Sequence, residues 1–223
     1  MLKLYHTPIS PNSRRVWIAL LEKQIPFELV TLNLDGDQLQ PDFIAISPFH
    51  HIPVLVDDDF SIVESLAILD YLEAKYPTPA MLPTDAKALA TVRMVELVTV
   101  NELFPAMNPL TYRMLGIPTD DPQKLEQAEQ RIHTVLKFFE GLLRSSTYFG
   151  GSPTITLAEL VAGTVVPWMP ALGVPLDNYP HLSAWCERLS AREAWQNTQV
   201  SMEEVEAFLK PRFQQLITAQ QNH

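Results

Sequence analysis

The feature that most constrains the fold of this chain is a change in hydrophobic periodicity at a proline-rich segment. Pro77, Pro79 and Pro83 lie close together in this segment. Before it, apolar residues recur with period two in some stretches and with helical spacing in others, whereas beyond it the spacing is helical. The pattern predicts an α/β domain over residues 1–78, followed by an all-α domain over residues 86–223.

The individual elements are predicted from these periods and from the residues that bound them. Strands are predicted at Leu2–His6, Phe27–Leu32, Pro53–Val56 and Phe60–Val63. Helices are predicted over 11–24, 42–46 and 65–76 in the first domain, and over 86–103, 123–143, 157–166, 182–189 and 203–216 in the second. Thr156 and Glu159 match a capping box, which we interpret as a folding signal without a chemical role.

Composition excludes several classes of function. The net charge of −10 over 223 residues argues against non-specific binding to nucleic acid, which requires basic patches. Cys186 is the single cysteine, so the chain has no internal disulfide and no Cys-x-x-Cys site. No apolar run reaches the roughly 18 residues of a membrane span, and no signal segment opens the chain, so we expect a cytoplasmic protein without a membrane partner. No histidines are spaced as metal ligands, and we predict no metal.

Two neighbouring motifs predict a site that grips a small peptide. Ile52-Pro53 opens a short apolar strand. The proline either marks a strand start or follows a cis bond that would turn the backbone of Ile52 outward, toward an extended peptide. Glu64-Ser65 lies where a strand passes into a helix. Ser65 either caps that helix or leaves its N–H groups free for a carboxylate, with Glu64 beside them for an ammonium. The pair suits an α-amino acid head group.

The start of the first helix also has two interpretations. Ser10-Pro11 is typical of an N-cap followed by proline in the first helical position. Alternatively, the Ser10 hydroxyl lies beside a ligand thiol and stabilises its thiolate together with the helix N-terminus. Asn12 and Ser13 are further donors in the same turn.

Other polar residues are weaker candidates. We expect either Arg14 or Arg15 to face the sheet or the second domain as a structural charge. His50 and His51 precede the proline and either donate to a carboxylate or lie in a solvated loop. Gln38 is a candidate of the same kind.

Apolar residues in the second domain have two interpretations as well. Met107, Tyr112, Met114 and Trp168 either belong to the core or line an apolar pocket for a hydrophobic substrate.

Taken in order, these motifs resemble the cytosolic glutathione transferases over nearly the whole chain. The matching segments are Leu2–His6 leading to Ser10, Arg14-Arg15-Val16, Pro48-Phe49-x-x-Ile52-Pro53, Glu64-Ser65-x-Ala67-Ile68 and the capping box at Thr156–Glu159. The resemblance implies a thioredoxin-like N-terminal domain, a helical-bundle C-terminal domain and a homodimer.

The resemblance also implies roles for the residues of the first domain. The bond before Pro53 would be cis, and Ile52 would hydrogen-bond the cysteinyl backbone of glutathione. Glu64 and Ser65 would hold the γ-glutamyl end. Residues 50–51 would lie near the glycine carboxylate.

The activity implied is conjugation of the glutathione thiolate to small hydrophobic electrophiles in detoxification, with glutathione as co-substrate and no permanently bound cofactor. Ser10 aligns best with the serine-type classes, and the segment Ser10-Pro11-Asn12 also resembles relatives in which a Thr or Ser and an Asn share the thiol contact, as in a bacterial or cyanobacterial chi-like branch. Ser13 is a further candidate in the same turn. The alternative function is a non-catalytic glutathione-binding or docking module with the same fold. A thiol–disulfide reductase is disfavoured, because Cys186 lies far from the first strand.

Overall fold

The computed structural model of the chain describes residues 1–117 and 121–221, with side chains through residue 213. The range predicted for the helical domain includes residues 118–120 and 222–223, which lie outside the described part. The strands are β1 (Leu2–His6), β2 (Phe27–Thr31), β3 (Val54–Asp57) and β4 (Phe60–Val63). The helices are α1 (Pro11–Glu22), α2 (Pro41–Ile46), α3 (Ser65–Lys75), α4 (Ala86–Val98), α5 (Phe104–Met114), α6 (Pro122–Leu143), α7 (Leu157–Ala162), α8 (Pro180–Ser190), α9 (Glu193–Asn197) and α10 (Met202–Gln221).

The four strands form one mixed sheet in the order β2-β1-β3-β4. β1 and β2 are parallel and are joined through α1, since parallel neighbours need a crossover connection. β3 runs antiparallel to both β1 and β4. Leu2 and Leu4 face the main core, whereas Tyr5 packs on Phe43 in a smaller cluster on the other face. The alternating residues that predicted β1 therefore face two different clusters of the core, one on each side of the sheet. The predicted fold class, an α/β domain followed by an all-α domain, is confirmed.

The second domain contains two helices that were not predicted, α5 and α9, and it also differs from prediction in where other helices end. The helix predicted over 86–103 was expected to bend or stop at Pro105, but it continues, because a π-helical turn at Thr99–Leu103 joins α4 to α5. Pro105 is the second residue of α5, and the wider π-helical turn directly before it accommodates the proline and its missing N–H. The helix predicted over 157–166 ends at Ala162, ahead of a 3₁₀ turn that contains Pro167.

The predicted capping box is present and anchors the helical core. Glu159 Oε2 accepts hydrogen bonds from the backbone N–H of Thr156 at 2.8 Å and from its hydroxyl at 2.7 Å. Glu159 Oε1 accepts from the backbone N–H of Phe149 at 2.8 Å and from Trp185 Nε1 at 3.1 Å. The buried carboxylate of Glu159 therefore joins the start of α7 to α8 and to the 3₁₀ turn at Phe149–Gly151 that precedes α7.

α1 connects the two domains. Arg14 Nη2 donates to the carbonyl of Trp195 and Nε donates to Thr198 Oγ1, both at 3.2 Å. One arginine of the pair does face the second domain, but its partners are neutral oxygens and not a carboxylate. Within the part of the chain that the structure describes, no helix has the length and apolar character needed to span a membrane.

Candidate active site

The loop before β3 holds its proline in the conformation that the family resemblance implied. The Ile52–Pro53 peptide bond is cis. The Ser47 hydroxyl donates to the carbonyl of His51 at 2.8 Å and accepts from its N–H at 3.2 Å, which fixes the loop. Strand pairing begins only at Val54, opposite Tyr5. The backbone of Ile52 therefore lies at the open end of β3, beside the sheet and not within it.

The start of α3 differs from the first of the two interpretations of Ser65, in which Ser65 caps the helix. Glu64 is the N-cap, with φ of 68°, and no side chain caps the helix there. Positive φ in a non-glycine residue costs about 1–3 kcal/mol, and such strain is concentrated at binding sites. Ser65 is instead the first helical residue, and its hydroxyl accepts a hydrogen bond from Arg15 Nη1 at 3.4 Å. The uncapped end leaves backbone N–H groups free for an anion, which is the second of the two interpretations that the sequence left open.

These two features share one polar cavity, here called the peptide groove. Its volume is about 340 Å³. Its lining is formed by Asn12, Leu34, Phe49, His50, His51, Ile52, Pro53, Val63, Glu64 and Ser65. Glu64 is the carboxylate of this lining, and no lysine or arginine belongs to it. The groove thus combines an open strand edge, an uncapped helix end and an acid.

A second cavity, here called the apolar cavity, adjoins the groove. Its volume is about 310 Å³. Its apolar lining comes from the start of α1, from α5, from the 3₁₀ turns after α7 and from α10, and includes Ile9, Phe104, Met107, Met114, Trp168, Leu172, Val205, Phe208, Leu209 and Phe213. Leu34 and Ile52 line both cavities. The two cavities therefore meet at these two side chains.

The first turn of α1 lies where the cavities meet. Ser10 is the N-cap of α1, and its Oγ accepts from the Ser13 N–H at 3.3 Å. Because that bond uses a lone pair, the hydroxyl proton stays free to be donated. Ser10 lines the apolar cavity and Asn12 lines the groove. The arrangement can place a thiol of a groove-bound peptide beside a hydroxyl, an amide and a helix N-terminus.

Comparison with known proteins identifies the fold. Two family models match the chain: Glutathione S-transferase, N-terminal domain, over residues 4–80, and Glutathione S-transferase, C-terminal domain, over residues 103–193. Glutathione S-transferase 3 from Zea mays is 35% identical over 208 residues, which cover 88% of this chain and 92% of that protein. This chain belongs to the glutathione S-transferase family.

Solved structures of the family share both domains with this chain. Glutathione transferase F7 from Populus trichocarpa has a TM-score of 0.76 at 30% identity, covering 89% of this chain and 97% of that one. Glutathione S-transferase-I bound with lactoylglutathione has a TM-score of 0.76 at 29% identity, covering 88% and 97%. The relatives from Zea mays and Populus are plant enzymes, and they do not support the serine-type or chi-like class that the sequence was expected to match.

Within this transferase fold, three predicted site residues lie outside the two cavities. The side-chain oxygen Oε1 of Gln38 accepts a hydrogen bond from the N–H of Gly36 at 3.1 Å. Only the backbone carbonyl of Gln38 approaches the groove residue His50, 3.4 Å from Nδ1. The Ser13 hydroxyl is buried without a partner among the described residues. Tyr112 packs edge-to-face on Phe213, with ring centroids 5.0 Å apart, and supports the apolar cavity from behind.

Two parts of the lining were missed by sequence analysis. Leu34 adopts φ of 58°, and the Asp37 carboxylate accepts its N–H at 2.9 Å. No residue-type pattern distinguishes such a loop leucine. The other part is the α10 stripe, residues 205, 208, 209 and 213, whose helical spacing does mark one apolar face. The spacing predicts that this face of α10 packs against the rest of the protein. It does not predict that the face forms the wall of a cavity.

The single thiol of the chain lies away from the site. Cys186 is on α8, and burial raises the pKa of its thiol to about 12. It lines neither cavity. Any thiol chemistry in the groove must therefore come from a bound peptide.

Proposed function

We propose that this glutathione transferase binds glutathione in the peptide groove and conjugates its thiolate to small hydrophobic electrophiles held in the apolar cavity. The observation that carries the proposal is the junction of the two cavities at Ile52 and Leu34, with Ser10 on one side and Asn12 on the other. A polar groove that opens into an apolar cavity at one helix N-terminus suits a peptide thiol that attacks an apolar partner.

The roles of the groove residues follow from their chemistry. The outward backbone of Ile52 pairs with the cysteinyl residue as an added strand does. The uncapped N–H groups at the start of α3, together with the Ser65 hydroxyl, bind the γ-glutamyl carboxylate, and Glu64 binds its ammonium. His50 and His51 also line the groove, and we assign them to the glycine carboxylate.

Activation of the thiol is assigned to Ser10, assisted by Asn12 and the α1 N-terminus. A free thiol with a pKa of about 8.5 is only a few per cent ionised at neutral pH. Lowering that pKa by about two units requires about 2.7 kcal/mol of preferential stabilisation of the thiolate. One or two hydrogen bonds to the charged sulfur, each contributing about 1.5–3 kcal/mol, supply it.

The test is calorimetry with glutathione, followed by assays with one electrophile from each of four classes: an isothiocyanate, an alkyl halide, an activated aromatic compound and a hydroperoxide. We expect glutathione to bind and at least one class to react. Binding without turnover in any class would favour the docking-module function instead, and absence of glutathione binding would refute both.

We also propose that the chain forms a homodimer, is cytoplasmic and belongs to the plant phi class. Phe49, Phe60, Met94 and Leu97 are exposed apolar side chains. Met94 and Leu97 lie three residues apart on α4 and therefore share one face of that helix, and an apolar face exposed on a single chain supports an interface. Sedimentation of the wild-type chain and of Leu97→Glu tests the dimer, and a monomeric wild type would refute it. Relatives named with the letter F in Arabidopsis thaliana and Populus trichocarpa support the class.

A further inference from the structure

The peptide groove lacks a charged group that its proposed ligand requires. The γ-glutamyl α-carboxylate is an anion, yet the charged side chain of the lining is the acid Glu64. Immediately behind the lining lies Arg15, whose Nη1 donates to Ser65 Oγ at 3.4 Å. Arg15 is only 1% exposed, so solvent ions screen its charge much less than that of a surface residue.

The guanidinium of Arg15 is largely unused by the rest of the protein. Its Nε and Nη2 are buried without a partner among the described residues. The acid that acts on it electrostatically is Glu96, which is also 1% exposed. However, Glu96 Oε2 is bound to Arg93 Nη1 at 2.9 Å, and Glu96 Oε1 is buried without a partner among the described residues, so the two buried groups make no direct bond. A buried cation without direct ion pairing is costly, and such a group needs a reason within the structure.

The hydrogen bond to Ser65 supplies that reason. Arginine can only donate, so the Ser65 oxygen must be the acceptor in their contact. The Ser65 hydroxyl proton is then available for an acceptor in the groove. A hydroxyl that accepts a hydrogen bond from a cation is a stronger donor to an anion, because consecutive hydrogen bonds polarise and strengthen one another.

We propose that Arg15 is a positioning residue that orients the Ser65 hydroxyl toward the γ-glutamyl α-carboxylate of glutathione and supplies the positive field that the groove lining lacks. This inference rests on the proposed function, because it takes glutathione as the occupant of the groove. Burial lowers the pKa of Arg15 to about 10, against the opposing effect of Glu96, so the side chain remains a cation at neutral pH.

The test compares glutathione with 4-aminobutanoyl-cysteinylglycine, which lacks only the α-carboxylate, by calorimetry on wild type, Arg15→Met, Arg15→Lys and Ser65→Ala. Arg15→Met is expected to weaken glutathione binding about tenfold, as loss of a charge-assisted contact does. Affinity for the analogue should not change. Arg15→Lys keeps the charge and should restore affinity to within about threefold of wild type. In kinetics, Arg15→Met should raise KM for glutathione and leave kcat within about twofold.

The result that overturns the inference is Arg15→Met with wild-type affinity for glutathione, or with equal losses for glutathione and the analogue. If Arg15→Met does not fold, the double variant Arg15→Met/Glu96→Gln removes both buried charges together, so that Glu96 is not left facing an uncharged side chain, and Arg93 keeps its ion pair with Asp70. The same comparison of the two ligands then applies. Failure of the proposed function is distinct, because in that case wild type binds neither ligand.

Discussion

Replacement of Ser10 by alanine separates the two roles that the structure allows for this residue. As N-cap of α1, Ser10 accepts one hydrogen bond of 3.3 Å, which is longer than the usual range for such bonds. Its loss should therefore cost about 0.5–1 kcal/mol, at the lower end for an N-cap. In a chain of this size that lowers Tm by about 2–4 °C for each kcal/mol, and the unfolded fraction stays negligible.

The expected effect on catalysis is much larger. A hydrogen bond to a thiolate contributes about 1.5–3 kcal/mol, so Ser10→Ala should lower kcat/KM about 10- to 150-fold at neutral pH. Affinity for glutathione should change little. The apparent pKa of the bound thiol should rise toward the value of about 8.5 for a free thiol, as read from the pH dependence of kcat/KM for the electrophile at saturating glutathione.

A matched control is available at the start of α4. Asp85 caps that helix by accepting from the N–H groups of Lys87 and Ala88, at 3.0 and 2.9 Å. Asp85→Ala should lower Tm at least as much as Ser10→Ala and leave turnover unchanged. Ser10→Thr keeps a hydroxyl and should retain activity. The reasoning is refuted if Ser10→Ala keeps wild-type turnover, in which case Asn12, which lines the groove, is the next residue to test.

Two further predictions concern stability and the apolar cavity. Gly163→Ala adds a Cβ 2.4 Å from the carbonyl oxygen of Glu159, so we expect chemical denaturation to show a free energy of unfolding lower by about 1–3 kcal/mol. Gly141→Ala on α6 places its Cβ in open space and should be neutral or stabilising. Equal effects of the two substitutions would contradict the packing around Gly163. Phe208→Ala removes part of the cavity wall and should raise KM for the electrophile about 5- to 30-fold, for about 1–2 kcal/mol of lost burial, without changing glutathione affinity. Phe138→Ala, at an exposed position on α6, is its control, and a similar rise in KM there would count against the assignment of the cavity.

The sequence predicts the fold well because the spacing of apolar residues along a strand or helix shows which of its faces is buried. Leu2 and Leu4 alternate with Tyr5 because the strand has a core on both sides. The helix boundaries are less predictable. Pro105 was expected to end a helix, but the π-helical turn before it shifts the register and lets the helix continue. A change of register depends on packing and leaves no mark in residue type.

Site residues can be predicted where a residue of suitable chemistry stands at the end of a predicted strand or helix, as at Ile52-Pro53 and Glu64-Ser65. Errors arise where a backbone angle decides the outcome. Positive φ at Glu64 moves the N-cap one residue before Ser65, and positive φ at Leu34 places a leucine between the two cavities. Residue type does not indicate these angles, since leucine and glutamate rarely adopt them.

The most direct test of the central claim is calorimetric titration with glutathione and with S-hexylglutathione. If the peptide groove and the apolar cavity form one continuous site, the hexyl chain extends past Ile52 and Leu34 into the apolar cavity. Each buried methylene contributes about 0.8 kcal/mol, so two of them suffice for about tenfold tighter binding than that of glutathione. We predict a gain of at least that size, reduced in Phe208→Ala. Equal affinities for the two ligands would contradict the claim.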